Sequence, residues 1–94
     1  MESAYEEVLF HVLQDKGLQV QRQLDVPLKY QGKELETDFR LDLLVEDNVV
    51  VECRATMEYK DIFENQVLTY LRLLDLKLGL VVNFGEKKVK DGIH

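Results

Sequence analysis

Three charged side chains, Asp42, Glu52 and Arg54, interrupt the most apolar part of this 94-residue chain, in DLLVEDNVVVECRA (residues 42–55). Two carboxylates brought side by side repel, unless a cation lies between them. A divalent ion such as Mg²⁺ or Mn²⁺ turns that repulsion into coordination, taking one or two carboxylates, several waters and phosphate oxygens. A guanidinium beside the pair could then face the phosphate. The question is whether the chain brings these residues together.

Two short apolar runs flank the polar trio Glu46-Asp47-Asn48, which reads as a hairpin turn. Residues opposite one another in a hairpin share a face, so turn length fixes who meets whom. A two-residue turn, Asp47-Asn48, would set Asp42 opposite Cys53. A three-residue turn over Glu46-Asp47-Asn48 sets Asp42 opposite Glu52, with Asn48 expected to take the left-handed conformation. The longer turn is preferred because Leu41, Leu43, Val45, Val49, Val51, Cys53 and Ala55 then share one apolar face. Arg40, Asp42, Leu44, Val50, Glu52 and Arg54 share the other. The opposed acids would have Cβ atoms ~4.5–5.5 Å apart. The Cys53 carbonyl, between Glu52 and Arg54, could add a ligand. On spacing alone the stronger reading is a solvated outer face, with Arg40 and Arg54 neutralising the two acids.

The elements around the hairpin follow from periodicity. Tyr5, Val8, Leu9, Val12 and Leu13 form a helical stripe; Ser3 and Glu6 can form a capping box, and Gly17 ends the helix. From Leu18 the period changes to two, with Pro27 marking an edge or a bulge and Gln31-Gly32 a turn. After the connector TMEYKD, Ile62, Phe63, Val67, Leu71 and Leu74 mark a second amphipathic helix reaching about Asp75. LGLVVNF, residues 78–84, reads as a strand buried on both faces, and GEKKVKDGIH as a loose polar tail. The order is helix, three strands, helix, strand.

Composition bounds the function. A chain of this length supports one domain. The net charge of −6, from 18 acids and 12 bases, argues against a general polyphosphate binder but not against a metal-dependent enzyme. Cys53 is the only cysteine, which excludes an internal disulfide and fits a reducing, cytoplasmic compartment. No apolar stretch approaches the ~20 residues that span a bilayer, and MESAYEEVLF lacks the pattern of a secretory signal. A soluble, intracellular protein is expected. His11 and His94 have no partners at ligand spacing, so a zinc site is not expected.

The hairpin spacing D-x9-E-x-R, preceded by a helix and followed by helix and strand, resembles the PD-(D/E)XK nuclease superfamily. Within it, ESAYEE, FRLDLLVEDNVVVECRA, QVLTYLRLLDLKLGLVVNFG and KDGI are similar to the GxxExxY protein family of small predicted nucleases. The resemblance implies an α/β fold with an αβββαβ core, a mixed sheet flanked by helices, as a single domain over residues 1–94. The absent family glycine before Glu2 and the stop just after KDGI imply truncation at both ends. It also implies a divalent-metal-dependent phosphodiesterase acting on nucleic acid, DNA before RNA, with Mg²⁺ or Mn²⁺.

By the same resemblance Asp42 matches the metal-binding aspartate and Glu52 the second acid, while Arg54 falls where the family usually has lysine. Gln66 and Tyr70 match a glutamine-x-x-x-tyrosine motif that positions the substrate backbone. Glu2 and Tyr5 match the ExxY of the family name, with Glu2 as a metal neighbour. Phe63 stands where the family often has histidine. Arginine in place of lysine keeps the charge but cannot serve as a base. The alternative is therefore a catalytically silent PD-(D/E)XK-like domain acting as a binding or oligomerisation module, with a second copy of the chain as partner. Glu6 reads as a capping or solvated residue and Cys53 as core.

Overall fold

A computed structural model describes residues 2–56 and 61–85. The middle of the TMEYKD connector and the tail beyond Gly85, with KDGI and His94, lie outside the described residues. The elements run α1 (Glu2–Asp15), β1 (Val20–Tyr30), β2 (Lys33–Val45), β3 (Val49–Arg54), α2 (Asp61–Leu74) and β4 (Leu78–Asn83). This is the expected αβββαβ order. The four strands form one sheet in the order β1-β2-β3-β4. The first two pairings are antiparallel and β3–β4 is parallel, so the sheet is mixed. Among the described residues, no helix is long and apolar enough to cross a membrane.

Local signals explain most boundaries. Gly17 adopts φ 86°, the Leu18 N–H reaches the Leu13 carbonyl and the Gly17 N–H the Gln14 carbonyl, which closes α1 as a Schellman cap. Gln31 and Gly32, both left-handed, make the tight turn between β1 and β2. Pro27 lies in the edge strand β1, where the register shifts between Pro27 and Lys29.

The two helices cover opposite faces. Leu43, Val51, Cys53 and Val82 pack with Leu9, Phe10 and Leu13 of α1. Leu41, Leu44, Val50 and Val81 pack with Phe63, Val67 and Tyr70 of α2. Full burial of a leucine such as Leu43 contributes ~1.5–3 kcal/mol. Neither face is the solvated outer surface that spacing alone favoured, because α2 lies over the face carrying Glu52.

Several packing expectations change. Leu41 does not share a face with Leu43: it belongs to the α2 cluster, together with Leu24, Val26 and Phe39. Val20, Leu43 and Val45 face α1 instead. Alternation therefore flips at one level in both strands, between Arg22 and Leu24 and between Leu41 and Leu43. The paired positions run Arg22↔Leu43 and then Leu24↔Leu41, omitting Gln23 and Asp42, and Gln23 has φ 54°. A left-handed residue rotates the following side chains out of phase.

In α1 the covered stripe is Glu6, Leu9, Phe10 and Leu13, while Val8 and Val12 are exposed. Ser3 lies inside the helix, and the Glu6 carboxylate turns to Arg22 and Gln23 rather than back to a cap. In α2, Ile62 is exposed and Tyr70 takes a core place. The β4 strand is an edge whose first half is open: Leu78 and Leu80 are exposed, and only Val81, Val82 and Asn83 are buried.

Candidate metal centre at the open end of the hairpin

The β2–β3 ladder pairs Val45 with Val49, Leu44 with Val50 and Leu43 with Val51, so the loop holds three residues and the ladder ends one position before Asp42 and Glu52. The left-handed residues of that loop are Glu46 and Asp47, not Asn48. The Asn48 N–H bonds the Val45 carbonyl, and positive φ at both central residues makes a type I′ turn. Glu46 is held there from outside the hairpin: its N–H donates to the Gln19 carbonyl and its carboxylate accepts the Gln19 N–H.

Beyond Leu43 and Val51 the strands part, and side chains take over the backbone donors. Asp42 Oδ2 accepts the Cys53 N–H at 2.7 Å, and Glu52 Oε1 accepts the Asp42 N–H at 3.3 Å. The two acids thus cross-brace the opening. Glu52 is 1% exposed. Burial, then the charge of Asp42, pushes its carboxyl up to about 8. Burial also raises Asp42, against the pull of the Cys53 N–H.

Arg54 closes the group. Its Nη1 lies 2.8 Å from the Cys53 carbonyl oxygen, 3.3 Å from Glu52 Oε2 and 3.4 Å from Asp42 Oδ2. Its Nη2 donates to Gln66 Oε1 at 2.7 Å, and its Cζ stands 5.1 Å from the Phe63 ring centroid. Asp42, Glu52, Cys53, Arg54 and Gln66 therefore come together. Arg40 does not join them; it pairs with Asp25 on the surface at 2.9 Å.

The remaining expected residues take other places. Tyr70 is buried, edge-on to Phe39, and its hydroxyl donates to the Arg40 carbonyl, so it braces β2. Glu2 lines a cavity of about 150 Å³ with Ser3, Glu6, Gln23, Asp42 and Cys53, while its own carboxylate accepts the Ala55 N–H. Tyr5 stacks on Phe84 at 4.8 Å, seating the start of α1 against the end of β4. The Cys53 side chain is core, as expected, and burial pushes its thiol up to about 12.

Three contributors escaped the sequence reading. Glu6 is buried and holds both Arg22 (2.9 Å) and Gln23 (2.6 Å), and it adds negative charge beside Asp42. The readable signal was an acid on the Leu9-Phe10-Leu13 stripe. Phe63 supplies an aromatic face to Arg54. Asn83, fully buried, accepts the Thr56 N–H and donates to the Thr56 carbonyl, fixing the chain just after Arg54. Nothing local marked Asn83.

A family model described as the PD-(D/E)XK nuclease superfamily matches residues 1–94. The chain belongs to this superfamily. Neither the curated proteins nor the solved structures contain a significant match. PD-(D/E)XK nucleases usually use divalent metals, which makes the donor set of this site the point to test. Among the described residues no cluster of three His, Cys, Asp or Glu side chains could hold a metal ion. What converges here is two carboxylates and one backbone carbonyl. All are hard oxygen donors, and Nη1 touches all three, so they surround one position. That set suits Mg²⁺ or Mn²⁺, which keep several waters, and does not suit zinc.

Proposed function

We propose that this PD-(D/E)XK domain is a divalent-metal-dependent phosphodiesterase of the GxxExxY type, acting on nucleic acid and on DNA before RNA. The observation that carries this reading is the convergence of Asp42 Oδ2, Glu52 Oε2 and the Cys53 carbonyl on one point. These three would hold Mg²⁺ or Mn²⁺, with Glu2 as an outer neighbour. When bound, the ion supplies Lewis-acid polarisation of the phosphate and activation of water.

The chain's own groups do the rest. Glu52 must give up its proton for the site to load, since its carboxyl is held up to about 8. Gln66 and Phe63 orient the Arg54 guanidinium, which places fixed charge beside a scissile phosphate. Arginine cannot take a proton from the attacking water, a role lysine could fill. General-base help is typically worth ~10²–10⁴-fold, so slow cleavage is expected of the natural chain.

A second reading has its own observation. Arg54 already pairs with both acids, as a domain that has abandoned catalysis for binding or oligomerisation would arrange. One experiment separates the two. Plasmid DNA, single-stranded DNA and RNA are incubated with the natural chain, Arg54→Lys, Asp42→Asn and Glu52→Gln, in Mg²⁺ or Mn²⁺. The nuclease reading expects weak natural activity, a rise in Arg54→Lys and loss in both acid variants. Absence of cleavage by the natural chain and by Arg54→Lys would falsify it in favour of the silent domain.

A further inference from the structure

The chain carries its own cation at the place where the metal donors converge. Arg54 Nη1 is within 2.8–3.4 Å of all three oxygens, so guanidinium and metal cannot share that position. The other end of the same group is held elsewhere, by Gln66 Oε1 at 2.7 Å, with the guanidinium carbon 5.1 Å from the Phe63 ring centroid. A tilt of the planar guanidinium about its Nη2–Gln66 contact would take Nη1 out of the acids. The Arg54 side chain is 17% exposed and that of Asp42 19%, against 2% for Glu52, so solvent reaches Arg54 and Asp42 but not Glu52.

We infer that Arg54 is an internal plug of this metal position, and that a nucleic-acid phosphate withdraws it. A guanidinium binds a phosphate diester with two parallel N–H bonds, which replace its contacts with Asp42 and Glu52 though not the one with the Cys53 carbonyl. Once drawn to the phosphate, Arg54 leaves two uncompensated carboxylates and a carbonyl, and Mg²⁺ or Mn²⁺ replaces its charge. Metal and nucleic acid then help each other bind, each raising the other's affinity by the same factor. This rests on the metal reading of the site but not on cleavage.

The test is Mn²⁺ binding followed by electron paramagnetic resonance, on the natural full chain and on Arg54→Met, which keeps an apolar stem against Phe63. The natural chain should bind Mn²⁺ weakly, and a short oligothymidylate should tighten it several-fold. Arg54→Met should bind Mn²⁺ at least about tenfold more tightly without oligonucleotide, with the oligonucleotide effect lost. Asp42→Asn in the Arg54→Met background should remove the gain. Equal or weaker Mn²⁺ binding by folded Arg54→Met overturns the plug.

Should Arg54→Met fail to fold, the natural chain still decides by nuclear magnetic resonance of the Arg54 side-chain N–H groups during Mg²⁺ titration. Displacement from the acids shifts these signals in step with metal saturation. Unmoved signals at saturation overturn the inference. Tighter Mn²⁺ binding without cleavage of any nucleic acid sinks the nuclease reading and leaves the plug standing. Cleavage by a natural chain whose Arg54 signals never move does the reverse.

Discussion

Arg40 and Arg54 each pair with an aspartate on the neighbouring strand, and sequence spacing treats them alike. The structure separates them. Arg40 meets Asp25 at 2.9 Å with both side chains more than half exposed. Arg54 meets Asp42 and Glu52 at longer distances, 3.4 and 3.3 Å, yet its side chain is 17% exposed and that of Glu52 2%. Distance is the poorer guide to consequence. An exposed pair is screened by water and salt, and each partner is solvated well enough alone. A buried pair stabilises little in net terms, but removal of one partner strands the other charge without water. The second arrangement persists at a structural cost, which is why it points to a function and the first does not.

The largest expected effect breaks the buried group. Arg54→Ala should destabilise the metal-free protein by ~3 kcal/mol in urea unfolding at pH 8, in the range found when one partner of a buried ion pair is lost. Saturating Mg²⁺ should recover part of that loss, because an ion that binds only the folded chain stabilises it. A loss no greater than that of Arg40→Ala would erase the contrast between the two arginines.

Next in size is a pH dependence belonging to Glu52. Its folded carboxyl is raised from 4.5 to about 8, so between these values the folded state binds the proton that the unfolded state has released. Stability from this group is therefore fully present below pH 4.5 and is lost as pH rises towards 8. Burial raises Asp42 as well, which adds in the same direction. The melting temperature of Glu52→Gln relative to the natural chain should accordingly rise from pH 5 to pH 8, by at least about 4 °C without metal. Mg²⁺ should shrink the difference. A pH-independent offset would mean that Glu52 is ionised at both pH values.

The smallest effects sharpen the comparison. Gln66→Ala removes the acceptor at 2.7 Å from Arg54 Nη2 but leaves the acids in place, so it should cost about 1 kcal/mol. Arg40→Ala should leave the urea midpoint unchanged within error, the pair with Asp25 being a surface one. If the two variants prove equal, Gln66 is not holding Arg54.

Much of this was legible in order along the chain. Gly17, Gly32 and Pro27 act through their own backbone, so they mark a helix end, a turn and an edge wherever they occur. The three-residue loop was legible too, because counting residues across a turn fixes register, but the face of Asp42 was not: it lines a cavity with Glu6 of α1 and Cys53. The Glu46-Asp47 conformation was not, since Gln19, 27 residues away, holds Glu46. The same limit applies to α1, where Val8 and Val12 fit a helical stripe as well as Phe10 does. Which side of α1 faces the sheet depends on Arg22 and Gln23 waiting for Glu6.

By itself, then, the sequence determined the elements, their order, the three-residue loop and the pair of acids at its open end. These follow from period, turn chemistry and counting, which act over a few residues. Only the tertiary structure decided that alternation flips at Gln23 and Asp42, that α2 covers Glu52, that Tyr70 turns inward and that Arg54 enters the acids. Each of these depends on groups far apart in the chain meeting within a few ångströms. Charge and burial energies depend steeply on that separation, and a linear pattern does not carry it.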